Sequence, residues 1–262
     1  MLDFLVAHSE SELLADMLWS LGVVAVEERE ALGAFVTLRT SMGEDHTATR
    51  DFIQQNFPGV QISVARVDRS VADTWRIHAV PTWVNDEVVL CPAWVDPPDA
   101  PHVIRIEPAD TFGLGNHTTT VLALRLGLRH CAKDSRVFDF GCGSGVLAIA
   151  VTRILQCDSF VFDIAHNAQE VVRINNELND VDTTWLSDSK SLNADLVFAN
   201  ILAPVLIAEC ETIKDSIHET GLIVLSGMRD EQVQQVLLSY QDCEELERES
   251  RDGWSAVTLR KL

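Results

Sequence analysis

The sequence predicts an α/β protein, a small α+β module followed by a larger domain built on a mixed, mostly parallel sheet. Three observations carry that prediction. Strand-like and helix-like segments alternate from Thr118 to Tyr240, the pattern of parallel strands joined by helical crossovers. Within them, Phe138-Asp139-Phe140-Gly141-Cys142-Gly143-Ser144-Gly145 closes an apolar run with three alternate glycines, directly ahead of the amphipathic stretch Val146 to Leu155. Last, the strand-like segments 245–250 and 255–260 are joined by only Arg251-Asp252-Gly253-Trp254. So short a link excludes a crossover and makes the pair antiparallel.

Taken in order, Phe4-Leu5-Val6-Ala7 reads as a strand, and Ser9-Glu10-Ser11-Glu12 has the S-x-x-E form of a capping box. Leu13, Leu14, Met17, Leu18 and Leu21 recur at helical spacing, and Gly22 is placed to end that helix. Val23 to Val26 and Ala34 to Leu38 read as strands joined around Gly33. A helix from about Glu44 to Asn56 stops at Pro58-Gly59, and Val60 to Val67 alternates as a strand. The order βαββαβ predicts a ferredoxin-like domain over residues 1–68. Residues 69–110 read as a connector holding Trp75, Trp83, Trp94, a proline cluster and one short strand, Glu87 to Cys91.

The domain 111–262 follows. Its helices are expected at Thr118–His130, Val146–Leu155, Asn167–Leu178, Pro204–Ile217 and Glu231–Tyr240. Its strands are expected at Arg136–Phe140, Ser159–Ile164, Thr183–Leu186, Ala194–Ala199, Leu222–Ser226 and in the final pair. An antiparallel closing strand on such a sheet marks the class I (Rossmann-like) methyltransferase fold, with seven strands, rather than a dehydrogenase.

Bulk properties narrow the function classes. The chain has 262 residues, 47% of them hydrophobic, which fits a globular protein. No apolar run reaches the length of a membrane span, and Met1-Leu2-Asp3-Phe4 lacks the basic start of a secretory signal, so a cytoplasmic protein is expected. The six cysteines are scattered without metal-ligand spacing; they are expected to be reduced, and no metal site is expected. A formal charge of −20 repels nucleic acid and favours basic partners, although solubility alone accounts for such charge equally well. Through residue 60 ten acids (Asp3, Glu10, Glu12, Asp16, Glu27, Glu28, Glu30, Glu44, Asp45, Asp51) face three arginines, which suits a docking module for a basic protein.

Ligands of doubly wound sheets lie beyond the carboxyl ends of the strands. The loop there is G-x-G-x-G, and Val146 stands where a dinucleotide loop would carry its third glycine. Gly141, Gly143 and Gly145 therefore suit S-adenosylmethionine better than a pyrophosphate. Asp163, at the end of the next strand and 22 residues after Gly141, can accept both ribose hydroxyls. Asp139 can hold the cofactor's ammonium, or order the loop as an Asx turn. Asn200, in Phe198-Ala199-Asn200-Ile201-Leu202, is the candidate catalytic group, an amide orienting a substrate nitrogen. In Phe112-Gly113-Leu114-Gly115-Asn116-His117-Thr118-Thr119-Thr120 a loop enters a helix, with Thr120 offering a hydroxyl. His117 there is read as a capping group before a general base.

Together these segments resemble ribosomal protein methyltransferases of the PrmA type, which modify amino groups of large-subunit ribosomal protein eleven. The resemblance runs over nearly the whole chain and includes Leu225-Ser226-Gly227. It implies cofactor contacts at Thr120, Gly141, Asp163 and Asn200 and a small domain that recognises the ribosomal protein; from the charge and the lack of a long apolar run, neither direct nucleic acid binding nor a membrane is expected. The chain is expected to act as a monomer. Leu114 and Thr118 stand where the family commonly has threonine and proline, and Ala165 and His166 where it has a second acid and a proline. The expected activity is S-adenosylmethionine-dependent N-methylation of lysine or N-terminal amines. The alternatives are methylation of another basic protein or a small amine, or a cofactor-binding scaffold without turnover.

Overall fold

The computed structural model describes residues 2–20, 26–40, 47–64, 79–107, 115–165, 167–188 and 192–262. The chain divides into two compact units, Met1–His78 and Ala79–Leu262.

In the first unit the elements are β1 (Leu2–Ala7), α1 (Ser11–Ser20), β2 (Val26–Leu32), β3 (Phe35–Thr40), α2 (Thr47–Asn56) and β4 (Gln61–Val64). The sheet order is β2-β3-β1-β4, with every pair antiparallel. Alternation along β1 turns Leu2, Phe4 and Val6 inward, where they meet Leu14, Leu18, Val36, Leu38 and Ile53. Helix α1 begins only after a 3-10 turn over His8–Glu10, entered at Ala7 without a side-chain cap, so Ser9 lies in that turn rather than at a helix cap. Of the strand expected at Val23–Val26, residues 23–25 lie outside the described ones, and β2 extends from Val26 to Leu32. Its charges hid it, since Glu27, Glu28 and Arg29 are exposed. An edge strand needs only one partner and tolerates such residues. Residues 41–46 and 65–67, where the expected helix and last strand began and ended, also lie outside the described residues.

The second unit opens with a three-stranded sheet of β5 (Thr82–Trp83), β6 (Val88–Pro92) and β7 (His102–Ile106) in that order. Strand β7, parallel to β6, falls where the sequence suggested a plain connector. Val88, Leu90, Ile104 and Ile106 pack in one core with Leu122, Leu126, Ile149 and Phe198, so residues 79–107 are part of the large unit's core.

Then come α3 (Thr118–His130), β8 (Arg136–Phe140), α4 (Val146–Leu155), β9 (Asp158–Phe162), α5 (Ala168–Asn179), β10 (Thr184–Trp185) and β11 (Ala194–Asn200). They are followed by α6 (Ala203–Ala208), α7 (Cys210–Asp215), β12 (Ile217–Arg229), α8 (Val233–Leu237), β13 (Cys243–Arg251) and β14 (Trp254–Lys261). The sheet order is β10-β9-β8-β11-β12-β14-β13; the first five strands are parallel, and β14 is reversed, antiparallel to both β12 and β13. This is the mixed seven-stranded sheet of a class I, Rossmann-like methyltransferase. Both faces are covered. Along β11, Leu196 and Phe198 join the core of α3 and α4, while Val197 and Ala199 join Leu206, Ile213 and Val236 of α6, α7 and α8.

Two expected elements differ. The helix at 204–217 is two short helices broken at Glu209. The hydroxyl of Ser216 folds back to donate to the Thr212 carbonyl at 2.8 Å, and Ile217 already pairs with Ala194, so β12 begins well before Leu222. The helix at 231–240 is α8 alone, flanked by 3-10 turns over Asp230–Gln232 and Leu238–Tyr240. All six cysteines are free, and the buried thiols of Cys131 and Cys157 lie 3.6 Å apart. Among the described residues no group of three or more His, Cys, Asp or Glu gathers as metal ligands, and no helix is long and apolar enough to cross a membrane.

Candidate functional site

The carboxyl ends of β8, β9, β11 and β12 bring the expected residues to one edge of the sheet. After β8 the chain turns through Gly141, Gly143 and Gly145 at φ 75°, 54° and 77°, values that a side chain resists. The N–H groups of Gly141 and Cys142 both donate to the Phe162 carbonyl, at 2.8 and 3.0 Å, stitching the turn to the end of β9.

Asp163 follows directly. Its Oδ2 accepts from the Gly143 N–H and its Oδ1 from the Ala165 N–H, each at 2.8 Å. One carboxylate thus fixes both loops that border it. Asp139 lies on the opposite face of β8 from the buried Phe138 and Phe140, and is 1% exposed. Helix α4 starts at Gly145 with no side-chain cap of its own; Asp139 Oδ2 fills that role by accepting from the Ala148 N–H at 3.2 Å. The Asx-turn alternative is therefore replaced by a cap supplied from the preceding strand. Burial, together with the nearby Asp163 charge, pushes the Asp139 carboxyl up to about 7.

Asn200 ends β11, and its Nδ2 donates to Thr120 Oγ1 at 3.3 Å. The next residue, Ile201, is held between two glycines. A Cβ at Gly141 would come within 2.5 Å of Ile201 Cγ2, and one at Gly227 within 2.3 Å of the Ile201 carbonyl oxygen. The Ser226 hydroxyl donates to the Thr119 carbonyl at 3.0 Å, tying the end of β12 to the start of α3.

His117 is the N-cap of α3. Its Nδ1 accepts from the Thr119 N–H at 3.3 Å and lies 2.8 Å from Thr119 Oγ1. Its ring meets Trp254 edge-on at 4.9 Å, and the Arg229 guanidinium lies 4.0 Å over the same indole. Burial, aided by Arg229, lowers its pKa from 6.5, which favours the neutral ring that accepts the Thr119 N–H. Phe112, Gly113, Leu114 and His166 lie outside the described residues. A shallow cleft of about 440 Å³, lined by His102, Arg153, Cys157 and Asp180 among others, opens at the amino ends of the strands and holds none of these residues.

The signature of the ribosomal protein L11 methyltransferase (PrmA) family matches residues 7–262. The chain belongs to that family. The ribosomal protein L11 methyltransferase of Shewanella pealeana is 33% identical over 204 residues, covering 74% of this chain and 69% of that protein. That of Ralstonia nicotianae is 28% identical over 280 residues, covering 95% and 94%. The chain spans 63% of the length of two Clostridium botulinum relatives that are 30% identical to it. A crystal structure of ribosomal protein L11 methylase from Lactobacillus delbrueckii subsp. bulgaricus matches with a TM-score of 0.63 and 26% identity, over 70% of this chain and 99% of that one.

At Ala165, where the resemblance implies a second acid, the backbone N–H orients Asp163. Two residues of α5 were not foreseen, Asn175, whose amide reaches the Ser144 carbonyl of the glycine turn, and Asn179 one helical turn further on. Both are buried, and the signal was available, because two amides four residues apart share the apolar helix face of Val171 and Val172.

Proposed function

We propose that this chain is an S-adenosylmethionine-dependent N-methyltransferase acting on amino groups of ribosomal protein L11. The observation that carries the reading is the match of residues 7–262 to the family, over a strand edge where two acids, a glycine turn and Asn200 converge. The donor set suits this cofactor. Each oxygen of Asp163 accepts one backbone N–H, and a carboxylate has about four acceptor sites, so both oxygens retain capacity for a ribose diol. A buried acid at Asp139 favours a cationic amino-acid tail and disfavours a pyrophosphate.

Bound there, S-adenosylmethionine supplies a methyl group on a sulfonium centre, an electrophile that needs no acid catalyst. The chain's own work is positioning. Thr120 Oγ1 accepts from the Asn200 Nδ2, which turns Oδ1 out to accept an N–H of the incoming amine and aim its lone pair. A lysine amine, with an ordinary pKa of about 10.4, must arrive neutral, and withdrawal from water favours that form. His117 acts as the helix cap, and the proton leaves to solvent.

The first unit supports a docking role. Its βαββαβ order and β2-β3-β1-β4 sheet fit the ferredoxin-like recognition domain expected over 1–68, and its acidic edge suits a basic ribosomal protein. Residues 111–262 serve as the catalytic domain of a cytoplasmic, monomeric enzyme, with residues 79–107 of the expected connector packed into the core of that large unit.

The test is mass spectrometry of purified L11 incubated with the chain and S-adenosylmethionine, beside other basic proteins and free lysine. Stepwise methyl additions on L11 alone are expected; an unmodified L11 overturns the substrate assignment.

A further inference from the structure

Strand β7 is an edge of its small sheet, paired on one side with β6. On the other side two side chains take the place of a partner strand. Asn179 Oδ1 accepts from the Arg105 N–H at 2.8 Å, and its Nδ2 donates to the Arg105 carbonyl at 2.7 Å. Asn175 repeats the pattern two residues along, accepting from the Glu107 N–H at 2.8 Å and donating to the Glu107 carbonyl at 3.0 Å. The repeats match for a simple reason. Four helical residues rise roughly 6 Å, and two strand residues advance about 6.6 Å. Asparagines at i and i+4 therefore meet alternate residues of an extended edge.

The two amides differ in one bond. The second N–H of Asn179 stays within its own helix, donating to the Asn175 carbonyl at 2.8 Å. The second N–H of Asn175 crosses to the Ser144 carbonyl at 2.9 Å, between Gly143 and Gly145. Asn175 is wholly buried, as is Ser144. Two carbonyls and one N–H converge on it, which requires an amide in this orientation; a carboxylate would set like charge against both carbonyls. Glu107 is also the last described residue before the segment that returns at Gly115 to enter α3.

We infer that Asn175 is a positioning residue for the cofactor site, joining the glycine turn to the backbone at the end of β7. The inference rests on the cofactor reading above. Asn179 makes the same clamp on β7 without touching the turn, so it is a built-in control.

The test compares Asn175→Ala with Asn179→Ala in the full chain, by calorimetric titration with S-adenosylmethionine, thermal unfolding, and hydrogen exchange of peptides spanning 141–147. Both variants are expected to lose thermal stability to a similar degree. Only Asn175→Ala is expected to weaken cofactor binding tenfold or more and to speed exchange in the turn, with Asn179→Ala within twofold of the parent. If Asn175→Ala does not fold, Asn175→Ser, which retains one donor, provides the same comparison. Equal effects on binding in the two variants, or none, overturn the inference alone. Failure of the unaltered chain to bind overturns the cofactor reading and this inference with it.

Discussion

Asp139 combines two demands that pull in opposite directions. It caps α4 from inside the protein, and it faces the edge where a cationic ligand is proposed to lie. With its carboxyl raised to about 7 in the fold against about 3.9 in an unfolded chain, the native state holds the extra proton between those values. Stability therefore falls as pH rises from about 4 to about 7, and the full cost, up to about 4 kcal/mol, is present above that window. Asp139→Asn keeps an oxygen for the Ala148 N–H and removes the titration. The variant is expected to show a flatter dependence of urea midpoint on pH and greater stability than the parent at pH 8. Calorimetry at that pH should show weaker S-adenosylmethionine binding. A variant that is more stable and binds equally well would remove Asp139 from the binding role.

At the scale of elements, glycines decide how closely strands and helices meet. A Cβ at Gly127 in α3 would fall 2.2 Å from the buried Phe198 ring of β11. Overpacking there costs about 1–3 kcal/mol and alanine's helix preference returns about 1 kcal/mol, so Gly127→Ala should cost about 1 kcal/mol. Gly227→Ala meets the Ile201 backbone rather than a ring edge, at a φ of 87°, and nothing there can yield cheaply. Urea unfolding should rank Gly227→Ala as the more destabilising, and it alone should lower kcat by displacing Asn200. The reverse order would contradict the wedge at Ile201. These contacts also show what could be read beforehand. α3, β8 and α4 stand at their expected bounds, because caps, apolar period and glycine turns agree locally. The acidic strand β2, the short β7 and the split of α6 from α7 were not legible. The first is an edge strand whose charges mask its period, and the other two depend on partners distant in sequence: the side chains of α5, and the pairing of Ile217 with Ala194.

For the whole molecule, charge and topology matter more than any single contact. A net charge of −20 should draw a basic protein substrate by long-range attraction, which salt screens within about 8 Å at physiological ionic strength. Raising salt from about 0.05 to 0.3 M should lower kcat/KM for L11 several-fold while kcat holds; a salt-independent kcat/KM would rule out electrostatic docking. The closing hairpin has a different bearing, on the order in which the fold assembles. Strand β14 lies between β12 and β13 although it follows both in the chain. Strand β13 is made before β14, its partner among the described residues. Its glutamates at 244, 245, 247 and 249 keep such a waiting strand soluble and unattractive to other edges. The two strands are expected to join the sheet together, as one hairpin, so pulse-labelled exchange should find β13 and β14 protected together and after β11.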